Sequence, residues 1–483
     1  MLSRISKAFL PRLLLLALFL AGLAGCNGSR SAPPPQAHEL PFAGQQVKVL
    51  APAGAGISEF WEAPLAEWGT QTGGSATVVE YPPDDATALT RAATSGETSV
   101  IAIVPYSLLG DAAAVLEFEL VPESAWNVDS GIGWQDLLPG VREGLASCRR
   151  KPMLVPLSAP ALVLYFRQDL LNQAGLKPPQ TWDDYHRLLE TLPDWAPGLV
   201  AVEPWSDSFC TTMFLSRAVA HAKHPDHYSV FVDLDSGTPL IDNPAFLRTL
   251  EQCRSAVEKM PDAIWMLGPL DCRRMALEGQ AALAIGYEPQ GEQRRQNPQS
   301  QTASRVDGIE IGVCRLPGSR EIYNPTRRQW ESPAVRGAAG PPLFRATLTA
   351  FDGYAACCFV KPGAKSAEAR WNALSSAAGS DLAAGFPPGI AGVTRESQLT
   401  NPAEFTGPEL TGTEAGDYMN ALADALREPT VVHELPFPRR ANFRKSLDSA
   451  LVAALRNQTD PEQALGSAAG EWSRLIEEIG LDT

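Results

Sequence analysis

A carboxylate and an aromatic ring stand together at the end of one apolar run of this chain. Residues 199–202 have the composition of a buried strand, and Glu203-Pro204-Trp205 follows them directly. A carboxylate accepts hydrogen bonds from hydroxyl groups, and a flat indole ring packs against the C–H face of a ring-shaped molecule. Glu203 and Trp205 are therefore candidate ligand-binding residues. The alternative is that Trp205 is a core residue, since aromatic side chains dominate protein cores.

Motifs for covalent, metal or nucleotide chemistry are incomplete in this sequence. No Gly-x-Ser-x-Gly elbow occurs. Three histidines recur at every third position from His221 to His227, but Pro225 interrupts any helix there, so we expect a solvated loop. Both His-Glu-Leu-Pro-Phe segments carry a proline inside the helix that a His-Glu-x-x-His zinc site needs. Residues 363–366 lack the glycine before lysine of a phosphate-binding loop. We therefore expect no enzyme activity, no metal and no cofactor.

The elements that position these residues alternate between strands and helices. Apolar strands are predicted at residues 47–50, 76–81 and 99–104, with a tryptophan-bearing helix after the first. Such alternation is typical of a parallel α/β sheet, in which ligands lie beyond the carboxyl ends of the strands. This places Tyr106 and the loop 53–56 on the binding edge of the sheet.

The amino terminus has the pattern of an export signal. Three basic residues precede an apolar run at 13–20, which ends in Leu-Ala-Gly-Cys26. We interpret residues 1–25 as a signal peptide, because the run is too short to span a bilayer. The ending resembles a bacterial lipobox, which implies lipidation of Cys26 and a membrane anchor; the alternative is an ordinary secreted protein. Residues 26–46, rich in Pro, Gly and Ser, predict a flexible tether.

Charge and cysteine content exclude several classes of protein. The net charge is −15 at pH 7, which disfavours nucleic acid and anionic lipid as partners. Seven cysteines remain besides Cys26, an odd number from which no pairing can be deduced. We interpret most of them as small buried residues, and Cys357 and Cys358 as facing opposite sides of a strand. We expect a monomer.

The segment 154–189 gives the most specific resemblance. It combines a short apolar strand, a bend at Pro156 and Pro160, a second strand, and a helix stopped by Gly175. Thr181 then caps a further helix with acids in its first turn. The order resembles the segment of extracellular solute-binding proteins of ABC importers, in the maltodextrin-binding group, where the chain first crosses between lobes. The resemblance covers nearly the whole chain beyond residue 46.

This resemblance implies an α/β fold of the two-lobed periplasmic-binding-protein type (type II). Each lobe would hold a mostly parallel sheet flanked by helices, and hinge strands would cross between them. The expected ranges are 47–158 and 309–383 for the first lobe, and 159–308 and 384–483 for the second. Strands at 309–316 and 353–360 are expected to return to the first lobe. We expect a polar loop at 292–304 and an inserted surface loop at 323–343.

The resemblance also implies ligand contacts. Glu203 and Trp205 align with a Glu-Pro-aromatic triplet that touches sugar in the family. Pro160 stands where some relatives hold a ligand-binding carboxylate, so that contact is lost here. The complete set of predicted ligand-binding residues is Glu203, Trp205, Tyr287, Glu288, Tyr106, Tyr354 and Phe386.

The function implied is binding of a solute, a sugar or an oligosaccharide, outside the cytoplasmic membrane, with delivery to an ABC permease by closure of the two lobes. A separate ATPase would supply the energy. Two alternatives remain: a sensor or glycan-capturing lipoprotein of the same fold without a transporter, and an exported hydrolase. Ligand-induced closure without turnover separates the first two from the hydrolase.

Overall fold

The computed structural model describes residues 40–54, 56–96, 98–126, 131–148, 151–288, 304–332, 342–360, 367–379 and 392–480. Several predictions lie outside these residues: the signal peptide, Cys26, the tether up to residue 39, nearly all of the polar segment 292–304, and Phe386. Among the described residues, none of the helices combines the length and the apolar character needed to cross a bilayer.

Two sheets of five and four strands form the centre of the molecule, accompanied by three short strand pairs. The strands are β1 Gln46–Pro52, β2 Ser75–Tyr81, β3 Ser99–Pro105, β4 Ser147–Cys148, β5 Lys151–Pro152, β6 Val155–Pro156, β7 Val163–Arg167, β8 Val200–Val202, β9 Ala281–Gly286, β10 Ile311–Arg315, β11 Ile322–Asn324, β12 Gln329–Glu331, β13 Thr347–Thr349, β14 Tyr354–Cys358 and β15 Val431–His433.

Helices cover both sheets. They are α1 Ile57–Thr72, α2 Ala86–Thr94, α3 Tyr106–Val115, α4 Pro139–Gly144, α5 Gln168–Gln173, α6 Trp182–Glu190, α7 Leu192–Trp195, α8 Cys210–Ala222, α9 Pro244–Val257, α10 Pro269–Leu277, α11 Ala367–Ala378, α12 Pro402–Phe405, α13 Gly412–Leu426, α14 Arg440–Leu455 and α15 Pro461–Ile479. Short 3₁₀ turns lie at Glu123–Trp126, Trp134–Asp136, Asp262–Met266 and Ser397–Thr400.

The first sheet has the strand order β2-β1-β3-β14-β6. β1 pairs in parallel with both β2 and β3, and β14 runs antiparallel to β3 and β6. All seven residues of β3 are buried, as expected for an apolar strand covered by helices on both faces. Cys357 and Cys358 join the apolar clusters on opposite faces of this sheet, which confirms the prediction from strand geometry. Five of the seven cysteines outside position 26 are buried, which agrees with their interpretation as small buried residues.

The second sheet has the order β10-β7-β9-β8 and is mixed. β8 and β9 pair in parallel, while β7 is antiparallel to both β9 and β10. Strands β8, β9 and β10 therefore run in one direction and β7 runs against them, which agrees with the expected mostly parallel sheet. The expectation that residues 309–316 return to the first sheet is wrong, because β10 pairs with β7 in the second sheet. An apolar strand pattern suits either sheet, so periodicity could not distinguish them.

The chain passes from the first sheet to the second within residues 157–162, as predicted. β6 closes the first sheet and β7 enters the second. α5 ends before Gly175, whose φ of 67° is readily adopted by glycine. Thr181 and Asp184 form a capping box at the start of α6, with both reciprocal hydrogen bonds present. The predicted start and stop signals are confirmed.

Two loop predictions need correction. The start of the expected surface loop 323–343 is a hairpin of β11 and β12, in which Tyr323 is buried and contacts the Trp330 ring at 5.6 Å between centroids. Residues 333–341 lie outside the described part. The histidines are not a solvated loop either: His221 lies inside α8, and both it and His224 are 3% exposed. The hairpin supplies Trp330 against His221 and Glu331 against His224, contacts between distant segments that local sequence does not show.

The carboxyl-terminal segment contacts helices that belong to the two different main sheets. The α14 residue Asp448 accepts a hydrogen bond from the Thr211 backbone N at the start of α8, at 2.9 Å. Trp472 of α15 is fully buried and donates from Nε1 to the Phe443 carbonyl at 3.0 Å. On the side of the first sheet, the Arg439 backbone N donates to Asp111 at 2.8 Å. These helices therefore contact α8 and α3 together.

Candidate functional site

The carboxyl end of β8 carries Glu203 and Trp205, as the sequence predicted. Both side chains are buried, at 0% and 1% exposure. Trp205 Nε1 donates to Glu203 Oε2 at 3.0 Å, so the ring is oriented by the neighbouring carboxylate. In this conformation the indole face is covered, and the pair is held in one geometry.

Arg217 of α8 forms an ion pair with the Glu203 carboxylate. Its Nη2 lies 2.5 Å from Glu203 Oε1, and neither side chain is exposed. The guanidinium also stacks over the Trp182 ring, 4.2 Å from its centroid. Burial alone would lower the pKa of Arg217, but the adjacent carboxylate raises it above its ordinary value. The contact is therefore a buried ion pair, whose geometry each partner helps to fix.

A second buried pair stands at the end of β9, beside the first. Glu288 Oε1 accepts from Arg273 Nε at 2.8 Å and from the Tyr165 hydroxyl at 2.9 Å. Its Oε2 accepts from Arg273 Nη2 at 2.8 Å and from the Gly407 backbone N at 2.9 Å. Burial, followed by the Glu288 charge, raises the pKa of Tyr165 well above its ordinary value. Because β8 and β9 are parallel neighbours, both carboxylates lie at one edge of the second sheet.

The loop before β14 links this edge to the first sheet. Phe351 contacts Tyr287 with 6.2 Å between ring centroids, and the Gly353 carbonyl accepts from the Tyr106 backbone N at 3.1 Å. Tyr354 is half-buried, and its backbone N donates to the Ser158 hydroxyl at 2.9 Å. Of the predicted residues, Tyr106, Tyr287 and Tyr354 are thus brought together by one short segment, 351–354.

Asp352 is a residue of this segment that the sequence analysis missed. It is exposed to solvent, yet surrounding protein raises the pKa of its carboxyl group, a combination that indicates a recessed position. Its Oδ1 accepts from the Gly353 backbone N at 2.7 Å. An accessible carboxylate at the junction of the sheets is a candidate ligand contact. No motif marks it, because its neighbours come from distant parts of the chain.

Arg217 and Arg273 were also missed, for the same reason. Each lies on a helix and completes an ion pair with a carboxylate 14 or 15 residues away in sequence. No cluster of three or more His, Cys, Asp or Glu side chains within the described ranges is arranged to hold a metal ion.

A family model described as bacterial extracellular solute-binding protein matches residues 54–318. The chain belongs to this family. The matched region contains the strands of both main sheets apart from β1 and β14, and it includes both buried ion pairs. The carboxyl-terminal helices lie outside it. A comparison with curated protein sequences gave no significant match.

Solved structures of this family share the fold. The sugar-binding protein MalE from Xanthomonas citri superimposes with a TM-score of 0.64 at 16% identity, covering 90% of this chain and 98% of that chain. The cyclic alpha-maltosyl-1,6-maltose binding protein from Arthrobacter globiformis gives 0.61 at 16% identity, covering 90% and 99%. Maltose-bound MalE3 from T. maritima gives 0.55 at 17% identity, covering 89% and 99%. At these identities the likeness establishes the two-lobed periplasmic-binding-protein-like fold.

Proposed function

We propose that this solute-binding protein takes a carbohydrate, a sugar, polyol or oligosaccharide, between its two sheets. The observation that carries the proposal is that Glu203, Trp205, Tyr287 and Glu288 follow the neighbouring strands β8 and β9, and that Tyr287 contacts Phe351 of the loop 351–354. Glu203 pairs with Arg217, and Arg273 pairs with both Glu288 and Glu409, so the buried acids at this edge have arginine partners and the edge suits a hydroxyl-rich ligand. Neighbours in fold include proteins with bound ribitol, tagatose and mannitol.

Ligand entry would require the sheets to separate. Trp205 and Tyr287 are at most 2% exposed here, so neither ring face is open to a ligand. The connections that would bend are residues 157–162 and the segment that runs from the end of β13 to β14. Thr349 Oγ1, at the end of β13, donates to the Pro160 carbonyl at 2.8 Å and joins the two connections. A hinge at these two crossings would open the site and then close around the solute.

Delivery to a membrane permease driven by a separate ATPase, and anchorage through a lipid on Cys26, complete the proposal. The family, the export-type amino terminus and the fold neighbours named as ABC transporter components support these steps. A permease encoded beside this protein would separate an importer subunit from a sensor of the same fold.

The proposal is tested by calorimetric titration of the purified full chain with maltose, maltotriose, mannitol and ribitol. We expect saturable binding of at least one compound, weakened tenfold or more in Trp205→Phe and Trp205→Ala. Trp265→Ala is the matched control, because Trp265 packs against Arg456 and is not among the proposed ligand contacts. Melting curves of each variant verify folding. Binding of none of the compounds, or equal loss in the control, would contradict the carbohydrate site.

Closure is tested separately by small-angle scattering with and without the bound compound. A smaller radius of gyration in the complex is expected if the sheets close around it. Accumulation of a cleaved product during incubation would favour the hydrolase instead.

A further inference from the structure

A cavity of about 360 Å³ lies along the outer edge of the second sheet, at its edge strand β10. β10 and β8 are the two opposite edges of this sheet, so the cavity is separate from the proposed carbohydrate site. Its walls are β10, the loop 177–180 that precedes α6, and one face of α13. The volume lies within the range of small-molecule sites.

Arg345 lines this cavity, and no described carboxylate forms an ion pair with its guanidinium, although the charges of Glu428 and Asp424 act on it. Its Nη2 donates to the Gln180 carbonyl at 3.3 Å, while its Nε is buried without a hydrogen-bond partner in the described part. A buried donor left without a partner is costly, so a site of this kind favours an acceptor from outside.

The neighbouring Arg315 differs from Arg345, because its guanidinium has an ion-pair partner. Its Nη1 contacts Glu428 Oε1 at 2.6 Å and the Asp424 carbonyl at 2.9 Å. Burial, followed by the charge of Arg315, lowers the pKa of Arg345. Arg315 therefore has an ion-pair partner, whereas Arg345 has none in the described part, and Lys177 adds a further cation at the rim. The unpartnered Nε of Arg345 is the donor that a ligand acceptor would satisfy.

The opposite wall carries acceptors. Asp417, Asn420 and Asp424 lie at positions i, i+3 and i+7 of α13 and line the cavity together. A guanidinium fork matches a carboxylate in geometry, whereas this acidic face suits hydroxyl or ammonium donors. A ligand that satisfies both walls has a carboxylate at one end and donors at the other.

We propose that this cavity is a second binding site, which takes a small carboxylate bearing hydroxyl or ammonium groups, through Arg345 and the α13 face. The inference does not depend on the carbohydrate proposal, since no residue is shared between the two sites.

Titration of the full chain with gluconate, glutamate and inorganic phosphate tests it. We expect saturable binding of gluconate, glutamate or both, weakened tenfold or more in Arg345→Gln. Arg427→Gln is the matched control, because it removes the same charge from an exposed ion pair with Glu396 just beyond α13. Gluconate alone would identify a hydroxy acid and glutamate alone an amino acid. Phosphate alone, or no binding at all, would overturn the assignment.

A second variant keeps the test decisive if Arg345→Gln does not fold. Asn420 is exposed on α13, so Asn420→Trp fills the cavity without disturbing the core. It is expected to abolish carboxylate binding while leaving binding of any sugar at the β8–β9 edge unchanged. Undiminished carboxylate binding in Asn420→Trp would place the ligand elsewhere and refute the site.

Discussion

Glu203 and Arg217 form a fully buried ion pair at the end of β8, with 2.5 Å between Oε1 and Nη2. The Glu203 carboxylate also orients Trp205. Loss of the ion pair is therefore expected to affect both the stability of the second sheet and the proposed binding edge. Removing one member leaves a buried charge without compensation, whereas removing both does not.

We therefore expect Arg217→Met to lower the free energy of unfolding by about 3–5 kcal/mol. The double variant Glu203→Leu/Arg217→Met is expected to recover a large part of that loss, because no charge then remains buried. Urea unfolding of the two single variants and the double variant measures the coupling. Additive losses in the double variant would mean that the two side chains act independently.

His221 predicts a pH dependence of stability. Burial lowers its pKa from 6.5 to about 4, while its hydrogen bond to Gln252 at 3.1 Å opposes the shift. Below pH 6.5 the unfolded chain binds a proton that the folded chain takes up only near pH 4. Stability is thus complete above that window and falls on acidification by about 1.4 kcal/mol per pH unit from this group.

Between pH 6 and pH 4.5, His221→Gln is expected to reduce the slope of the unfolding free energy against pH by the amount that corresponds to one bound proton. Urea midpoints measured across this range provide the test. An unchanged slope would show that His221 is protonated in the folded state.

Gly110 allows α3 to approach the loop before α14. A Cβ at this position would lie 2.3 Å from the carbonyl carbon and oxygen of Phe437, and backbone atoms cannot move aside as a flexible side chain does. We expect Gly110→Ala to destabilise the protein by about 1–3 kcal/mol.

Gly466, in α15, is the matched control for Gly110. A Cβ there meets no atom within 4 Å, so Gly466→Ala should stabilise the helix by about 0.5–1 kcal/mol. Thermal unfolding of both variants makes the comparison. A stabilised Gly110→Ala would mean that the contact between α3 and this loop is loose in solution.

Asp352 predicts a contribution to ligand binding. If its accessible carboxylate accepts a hydroxyl hydrogen of the solute, Asp352→Asn should weaken binding by about tenfold, equivalent to about 1.4 kcal/mol. Titration with whichever carbohydrate binds the unmodified chain is the measurement. Asp84 is exposed after β2 and provides Asp84→Asn as control. Equal affinities of Asp352→Asn and the unmodified chain would exclude Asp352 from the site.

Local signals were sufficient for most elements. The cap at Thr181, the stop at Gly175 and the apolar runs of β1 to β3 act over a few residues, and each was predicted. The placement of β10 was not, since Ile311–Arg315 has an apolar pattern that either sheet accepts. The hairpin at Tyr323 was missed because its strands are only three residues long and are stabilised by contacts with α8 and Trp330.

The amino-acid sequence alone determined the α/β alternation, the capping signals and the position of Glu203 and Trp205 at a strand end. These follow from periodicity and capping, which are local properties, whereas the crossing between the sheets was implied by the resemblance of segment 154–189 to solute-binding proteins. Tertiary structure alone decided that Arg217 and Arg273 pair with the two carboxylates, that Asp352 lies at the junction, and that Arg345 borders a cavity without an ion-pair partner in the described part. Charge pairing and enclosure depend on which distant segments meet, and that information appears only when the chain has folded.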